Sequence, residues 1–346
     1  MDEDAVRDLL RSVEDPDLDD DIVSLGLVNS IEVDDEQVRV DLALGAPYSP
    51  TETDIAGEVR QLLLDEGLDP ELSATVDRGL DPEEQVLPGV KNVIAVSSGK
   101  GGVGKSTVAV NLAAGLADMG ASVGLFDADV YGPNVPRMVE ADERPQATPD
   151  EKIVPPEKFG MKLMSMAFLV GEDDPVIWRG PMIHKLITQL VEDVEWGTLD
   201  YMVVDLPPGT GDTQLTLLQS VPISGSVIVT TPQEVALDDA RKGLRMFGKH
   251  DTPVLGIVEN MAGFQCPDCG SVHDIFGDGG GERFAGENDL PFLGAIPLDP
   301  KVREGGDTGK PVVLDGDSET GESFRRFARS TANMQGILHR RRTAGR

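Results

Sequence analysis

Gly99-Lys100-Gly101-Gly102-Val103-Gly104-Lys105-Ser106-Thr107 follows an apolar run, Asn92 to Ser98, and precedes a helical pattern from about Lys105 to Met119. The spacing fits G-x-x-x-x-G-K-[ST], a phosphate-binding loop. Its glycines let successive backbone N–H groups converge on phosphate oxygens. The following helix aims its positive dipole end at the same anion. On that reading Lys105 reaches the β- and γ-phosphates of ATP and Ser106 takes a position on Mg²⁺. Gly99, Gly101 and Gly104 also spell G-x-G-x-x-G, a dinucleotide fingerprint, with Asp127 and Asp129 about where a ribose-binding carboxylate could sit. A dinucleotide site has no use for Lys105-Ser106-Thr107. The apolar strand Tyr201–Val204 ending in Asp205 supplies a second Mg²⁺-holding carboxylate, in the order a nucleoside-triphosphate site requires.

Cys266 and Cys269 are both cysteines of the chain, in Gln265-Cys266-Pro267-Asp268-Cys269-Gly270. C-x-x-C places two thiolates on one turn, a metal-chelating or redox geometry. No strand–helix frame of the dithiol-oxidoreductase kind surrounds it. Two sulfurs do not complete a four-coordinate iron–sulfur or zinc site. His273 is close by, but no further cysteine or clear histidine partner follows. The simplest completion is a two-fold homodimer contributing four thiolates.

These residues need a sheet to position them. Apolar β-rich runs at Val93–Ser97, Ser122–Phe126, Lys162–Ala167, Tyr201–Asp205, Ser226–Thr230, Val254–Glu259 and Phe292–Ala295 alternate with helical segments. That pattern predicts an α/β fold, a mostly parallel sheet flanked by helices, with ligands at the carboxyl ends of its strands. Residues 1–78 read as a small α+β domain: a helix at about Asp4–Val13, a hairpin around Ile31–Val33 and Val38–Leu44, and a helix over Thr53–Glu66. A polar, proline-bounded linker over 79–91 separates it from a nucleotide domain spanning 92–346.

At 346 residues the chain has room for two domains. Sixty-two acidic against 30 basic residues give a formal charge of −32, which argues against a nucleic-acid surface and against anionic lipid. The acidic excess is dispersed and suits a protein kept soluble in a high-salt cytosol, so the source reads as a halophile. The start Met1-Asp2-Glu3-Asp4 is no secretory leader and no apolar stretch reaches transmembrane length, so a cytoplasmic location is expected.

With its second lysine, Lys100, the loop resembles the deviant P-loop of cell-division and plasmid-partition ATPases, the nitrogenase iron protein and the Mrp-type iron–sulfur cluster carriers. Asp205-Leu206-Pro207-Pro208-Gly209-Thr210-Gly211-Asp212 and the surroundings of the C-x-x-C resemble the Mrp-type carriers in particular. The resemblance implies that Lys100 crosses a dimer interface to the partner's nucleotide, that Asp129 lies near the attacking water, and that Asp127 helps hold the Mg²⁺ shell. It also implies that Asn260 contacts adenine and that Cys266 and Cys269 of two chains bridge a [4Fe–4S] cluster delivered to apo iron–sulfur proteins, with assembly factors as partners. A turn-capping role is the plain alternative for Asp127, Asp129 and Asn260. Residues 1–78 resemble the iron–sulfur assembly domain that often precedes such carriers, with Ser49 where a cysteine is expected. A hydroxyl is a poor iron ligand, which favours partner docking or regulation for that domain.

Other readings stay open: a partition-type ATPase switch, which leaves the C-x-x-C without a task, a nucleotide-gated electron carrier, and an ATP switch stapled by Zn²⁺. Phe324, Phe327, Thr331, Met334 and Leu338 recur at helical spacing near the C-terminus, flanked by Arg325, Arg326, Arg329 and Arg340–Arg342. Packing on the domain is expected of this helix, membrane targeting being its alternative.

Overall fold

The computed structural model describes residues 1–75, 86–169, 180–266 and 269–345. Most of the expected linker, and Pro267 and Asp268 between the cysteines, lie outside the described residues. By contacts the chain divides into two units: residues 1–81 with 332–346, and residues 82–331.

The first unit comprises α1 (Glu3–Leu10), β1 (Val28–Asp34), β2 (Gln37–Leu42), α2 (Pro50–Asp65) and β3 (Asp69–Ala74). β1 and β2 form the expected hairpin, and β3 returns parallel to β2 after α2. Val38, Val40 and Leu42 alternate inward and pack with Val6 and Leu10 of α1 and with Ile55, Val59 and Leu63 of α2, the spacing of one helical face.

The second unit is an eight-stranded sheet. Its strands are β4 (Val90–Ser98), β5 (Val123–Asp127), β6 (Met161–Ser165), β7 (Leu199–Asp205), β8 (Gly225–Thr230), β9 (Val254–Asn260) and β10 (Phe292–Ile296). They lie in the order β6-β5-β7-β4-β8-β9-β10, all parallel, with the short antiparallel strand Glu157–Lys158 on the β6 edge. β4 is central and buried along almost its whole length, as its unbroken apolar run requires. From β4 the chain crosses first to one side of the sheet and later to the other. A crevice therefore opens at its carboxyl end, where the phosphate loop lies. Helix α3 (Lys105–Asp118) leaves that loop and is buried from Val108 to Leu116. The further helices are α4 (Val135–Met138), α5 (Gly180–Glu192), α6 (Asp212–Ser220), α7 (Glu234–Lys249), α8 (Gly280–Glu287), α9 (Pro300–Asp307) and α10 (Glu319–Ala344). No helix among the described residues is long and apolar enough to cross a membrane.

Helix α10 is where the structure adds most to the sequence reading. Phe324, Phe327 and Thr331 are fully buried, as the helical spacing anticipates, whereas Met334 and Leu338 are only half-buried. From Ala332 onward the helix groups with the N-terminal residues, an assignment that a domain running from 92 to 346 does not include. Arg340, read from sequence as part of a basic flank, is fully buried instead. Its guanidinium holds Asp15 at 2.6 Å, Asp17 at 2.6 Å and Glu52 at 3.2 Å. Gly336, one turn earlier on the same helix, leaves room for this: a Cβ there would stand 2.7 Å from the Glu52 carboxylate.

Candidate nucleotide site and cysteine hairpin

Gly102 and Gly104 take positive φ, 84° and 83°, which L side chains rarely adopt, and Gly104 caps α3. A cavity of about 790 Å³ opens over the loop, bounded by Lys100, Ser106, Asp129, Asn134, Asn260 and Leu298. That is ample for a nucleotide. Gly99, Gly101, Val103 and Thr107 complete the loop around it. Val103 is buried and aims its carbonyl at the Asn260 side chain, whose Nδ2 donates to it at 2.8 Å. Asn260 thus both holds the loop and faces the cavity.

Lys105 is buried, with its Nζ 2.6 Å from Asp205 Oδ1, 3.3 Å from Ser106 Oγ and 4.0 Å from Asp129 Oδ2. Asp205 and Asp127 are register partners at the ends of adjacent parallel strands, β7 and β5. Two buried carboxylates side by side cannot both ionise cheaply. Burial first, and then the charge of Asp205, pushes Asp127 up to about 7. The Ser165 hydroxyl and the Val135 and Asp129 amides act in the opposite sense. Burial also raises Asp205, against the pull of Lys105. Asp205 Oδ2 is buried with no hydrogen-bond partner among the described residues. An orphaned carboxylate oxygen beside the Ser106 hydroxyl and Asp127 fits a divalent cation. Mg²⁺ bound there would neutralise the carboxylates and the phosphates together.

Asp129 caps its own turn, accepting from the Tyr131 and Gly132 amides, and still lies at the cavity wall within reach of Lys105. The turn role and the site position coexist. Lys100 is half-buried on the cavity rim, and its ammonium makes no ion pair among the described residues.

The cysteines lie on a two-stranded hairpin, Phe264–Gln265 paired with Val272–His273. The Cys266 amide donates to the Ser271 carbonyl and the Gly270 amide to the Cys266 carbonyl, so the turn closes on its own backbone. Gly270, at φ 72°, makes that reversal possible. Cys266 is half-buried and Cys269 exposed. Hydrogen bonds from the Ser271 side chain and backbone hold the Cys269 thiol below its usual range. Among the described residues no three His, Cys, Asp or Glu side chains gather into a metal site.

Residues 89–332 match the family described as NUBPL iron-transfer P-loop NTPase, and residues 3–70 match the iron–sulfur cluster assembly protein family. The chain belongs to the NUBPL iron-transfer P-loop NTPases. Among curated relatives, the iron–sulfur cluster carrier protein of Deinococcus radiodurans is 47% identical over 96% of this chain and 95% of its own. That of Synechocystis is 48% identical over 90% and 91%. The iron–sulfur cluster transfer protein NUBPL of mouse is 50% identical over 74% and 81%. Among solved structures, a nucleotide-binding protein from Archaeoglobus fulgidus in complex with ADP is 39% identical, with a TM-score of 0.59 over 65% of this chain and 89% of its own. A cell-division ATPase of Pyrococcus furiosus shares the fold, at 22% identity and a TM-score of 0.52, over 69% of this chain and 97% of its own.

The family match ends at 332, where the contact division also falls. Sequence reasoning missed three buried polar residues in this nucleotide domain. Ser165 bonds Asp127 at 2.8 Å. Gln214 donates to the Pro207 carbonyl at 2.5 Å and so ties α6 to the loop after Asp205. Glu259 accepts from the Gly281 amide at 2.5 Å. Ser165 ends its strand and Glu259 immediately precedes Asn260 at the end of another, positions beside recognised motifs that could have flagged them.

Proposed function

We propose that the chain is an ATP-dependent iron–sulfur cluster carrier that works as a homodimer in the cytoplasm. Two copies would hold a [4Fe–4S] cluster as cargo through Cys266 and Cys269 of each and pass it to apo iron–sulfur proteins. The observation that carries this reading is the hairpin. It carries one half-buried and one exposed thiol, the exposed one acidified, with no third ligand gathered beside them among the described residues. A second copy supplies what one chain lacks. The names of the relatives, cluster carrier and cluster transfer proteins, support the same cargo.

At the other site, Gly99–Thr107 would wrap the phosphates, Lys105 would turn from Asp205 to the β- and γ-phosphates, and Ser106, Asp127 and Asp205 would hold Mg²⁺. Asp129 would orient the attacking water, Asn260 would border the adenine, and Lys100 would reach the partner's nucleotide. Water oriented by an aspartate alone is a modest nucleophile, so hydrolysis would be slow and suited to resetting a switch that governs cluster delivery.

The test is anaerobic purification with iron, acid-labile sulfide and zinc analysis, beside Cys266→Ser. About four iron and four sulfide per dimer, absent from the variant and transferable to an apo-acceptor, is the expected result. About one zinc per dimer with no sulfide would make the hairpin a structural staple and overturn the carrier reading.

A further inference from the structure

The cysteine hairpin belongs to a loop that leaves the sheet at Asn260 and rejoins the domain at Gly280, the start of α8. Two adjacent residues at the end of β9 secure both feet. Asn260, 5% exposed, donates to the Val103 carbonyl of the phosphate loop. Gly104 is what admits it, since a Cβ there would stand 2.2 Å from Asn260 Nδ2. Glu259, 2% exposed, turns the other way, as successive strand residues do, and accepts the Gly281 amide in the first turn of α8. That contact is equally close: a Cβ on Gly281 would lie 2.9 Å from Glu259 Cβ, and one on Gly280 2.5 Å from the Pro232 carbonyl. Between the feet, Phe276 of the returning limb shares a cavity of about 180 Å³ with Lys100, Gly102, Val103 and Met261. The loop carrying the thiols is therefore hydrogen-bonded to the phosphate loop at its outgoing foot and faces it across a small cavity on its returning limb.

We propose that Glu259 is a positioning residue that makes the cysteine hairpin follow the state of the phosphate loop. The proposal rests on the reading that this loop takes nucleotide. A loop held at one foot absorbs a displacement by swinging about the other, whereas a loop held at both passes it to its middle. Glu259 does not border the nucleotide cavity, so its part is to fix the second foot.

The test uses metal-free, full-length protein and reads the rate of iodoacetamide alkylation of Cys266 and Cys269. The rates are compared without nucleotide, with Mg-ADP and with a non-hydrolysable Mg-ATP analogue. The expected wild-type rate differs between nucleotide states by about fivefold or more. Glu259→Ala should bind nucleotide and lose that ratio. Glu259→Gln, whose amide oxygen can still accept the Gly281 N–H, should keep it. A purely structural role would lower the melting temperature of Glu259→Ala and leave the ratio intact, which overturns the proposal. Amide hydrogen exchange at Gly281 in the wild type needs no substitution. Protection there should change with nucleotide, and an unchanged value overturns the proposal. No iron enters these measurements, so failure to find iron on the purified protein would sink the carrier reading alone. A protein that binds no nucleotide overturns both.

Discussion

Lys105 and Arg340 are both buried cations set among carboxylates, one in each unit, and the two clusters are finished differently. Arg340 spends its planar fork on Asp15, Asp17 and Glu52, and none of those three side chains has a buried oxygen left unpaired among the described residues. Lys105 has one short partner, Asp205, whose other oxygen is orphaned, and the neighbouring Asp127 is pushed to about 7. A saturated cluster holds a fold together. An unsaturated one is stable only until a better partner arrives, and Mg²⁺ with a triphosphate offers a cation for the spare oxygen and phosphates for the lysine. The residue types match the tasks, since Arg binds several carboxylates in fixed geometry and Lys is a movable point charge.

Removing each cation is the severest test of that contrast. Arg340→Ala leaves three acidic side chains without their counter-charge, two of them buried, and should destabilise the first unit by about 3–5 kcal/mol in urea unfolding. Arg340→Lys should recover only part of it, because one ammonium cannot span three carboxylates. Nucleotide affinity, measured by calorimetry, should survive in both. Lys105→Ala should do the reverse, reducing ATP hydrolysis by on the order of 100-fold or more. Equal loss of hydrolysis in both variants would erase the distinction.

A titration probes the Lys105 cluster further. Asp127 is raised from 3.8 to about 7 in the folded chain. Between about pH 4 and 7 the folded state then holds a proton that the unfolded state has released, so this group makes stability fall as pH rises through that window. Asp127 should therefore make nucleotide-free protein more stable at pH 5 than at pH 8. Asp127→Asn should remove its share of that difference and leave the shares of Asp205, Glu52 and Glu259, which burial also raises. Mg-nucleotide binding near pH 6 should release protons, read from calorimetry in buffers of different ionisation enthalpy. Burial also raises Glu52 of the Arg340 cluster, so that cluster adds a dependence of the same sign, which Glu52→Gln removes and Asp127→Asn leaves in place.

The clusters were also unequally legible. Gly99–Thr107, Asp127, Asp129 and Asp205 announce themselves because a phosphate loop demands fixed local spacing and its aspartates end apolar strands. The sheet was legible for a related reason: a strand buried on both faces is an unbroken apolar run, as in Val203-Val204 or Val227-Ile228-Val229. Nothing local marks Asp15, Glu52 and Arg340, which meet across 325 and 288 positions. Arg340 sits amid Arg341 and Arg342, so its sequence context reads as a solvated basic flank. Only the tertiary register of α10 selects which of the three is buried. Ser49 was a middle case. Its position was identified, but full burial of its hydroxyl without a partner depends on packing.

The finest test sits one turn before Arg340. In most helix interiors Gly→Ala stabilises by about 1 kcal/mol, because alanine restricts the unfolded chain and favours the helix. Gly57, exposed on α2 of the same unit, would have nothing within 4 Å of an added methyl and should follow that rule. At Gly336 the added methyl would lie 2.7 Å from Glu52 Oε1 and 2.9 Å from Arg340 Nη1, so it must push the carboxylate or the guanidinium from the cluster. Overpacking of that kind costs about 1–3 kcal/mol, which outweighs the helical gain and leaves a net loss of about 1 kcal/mol. The two glycines should thus shift the urea midpoint in opposite directions. A stabilising Gly336→Ala would mean that the carboxylates around Arg340 have slack, and that this cluster, like the one around Lys105, is not saturated.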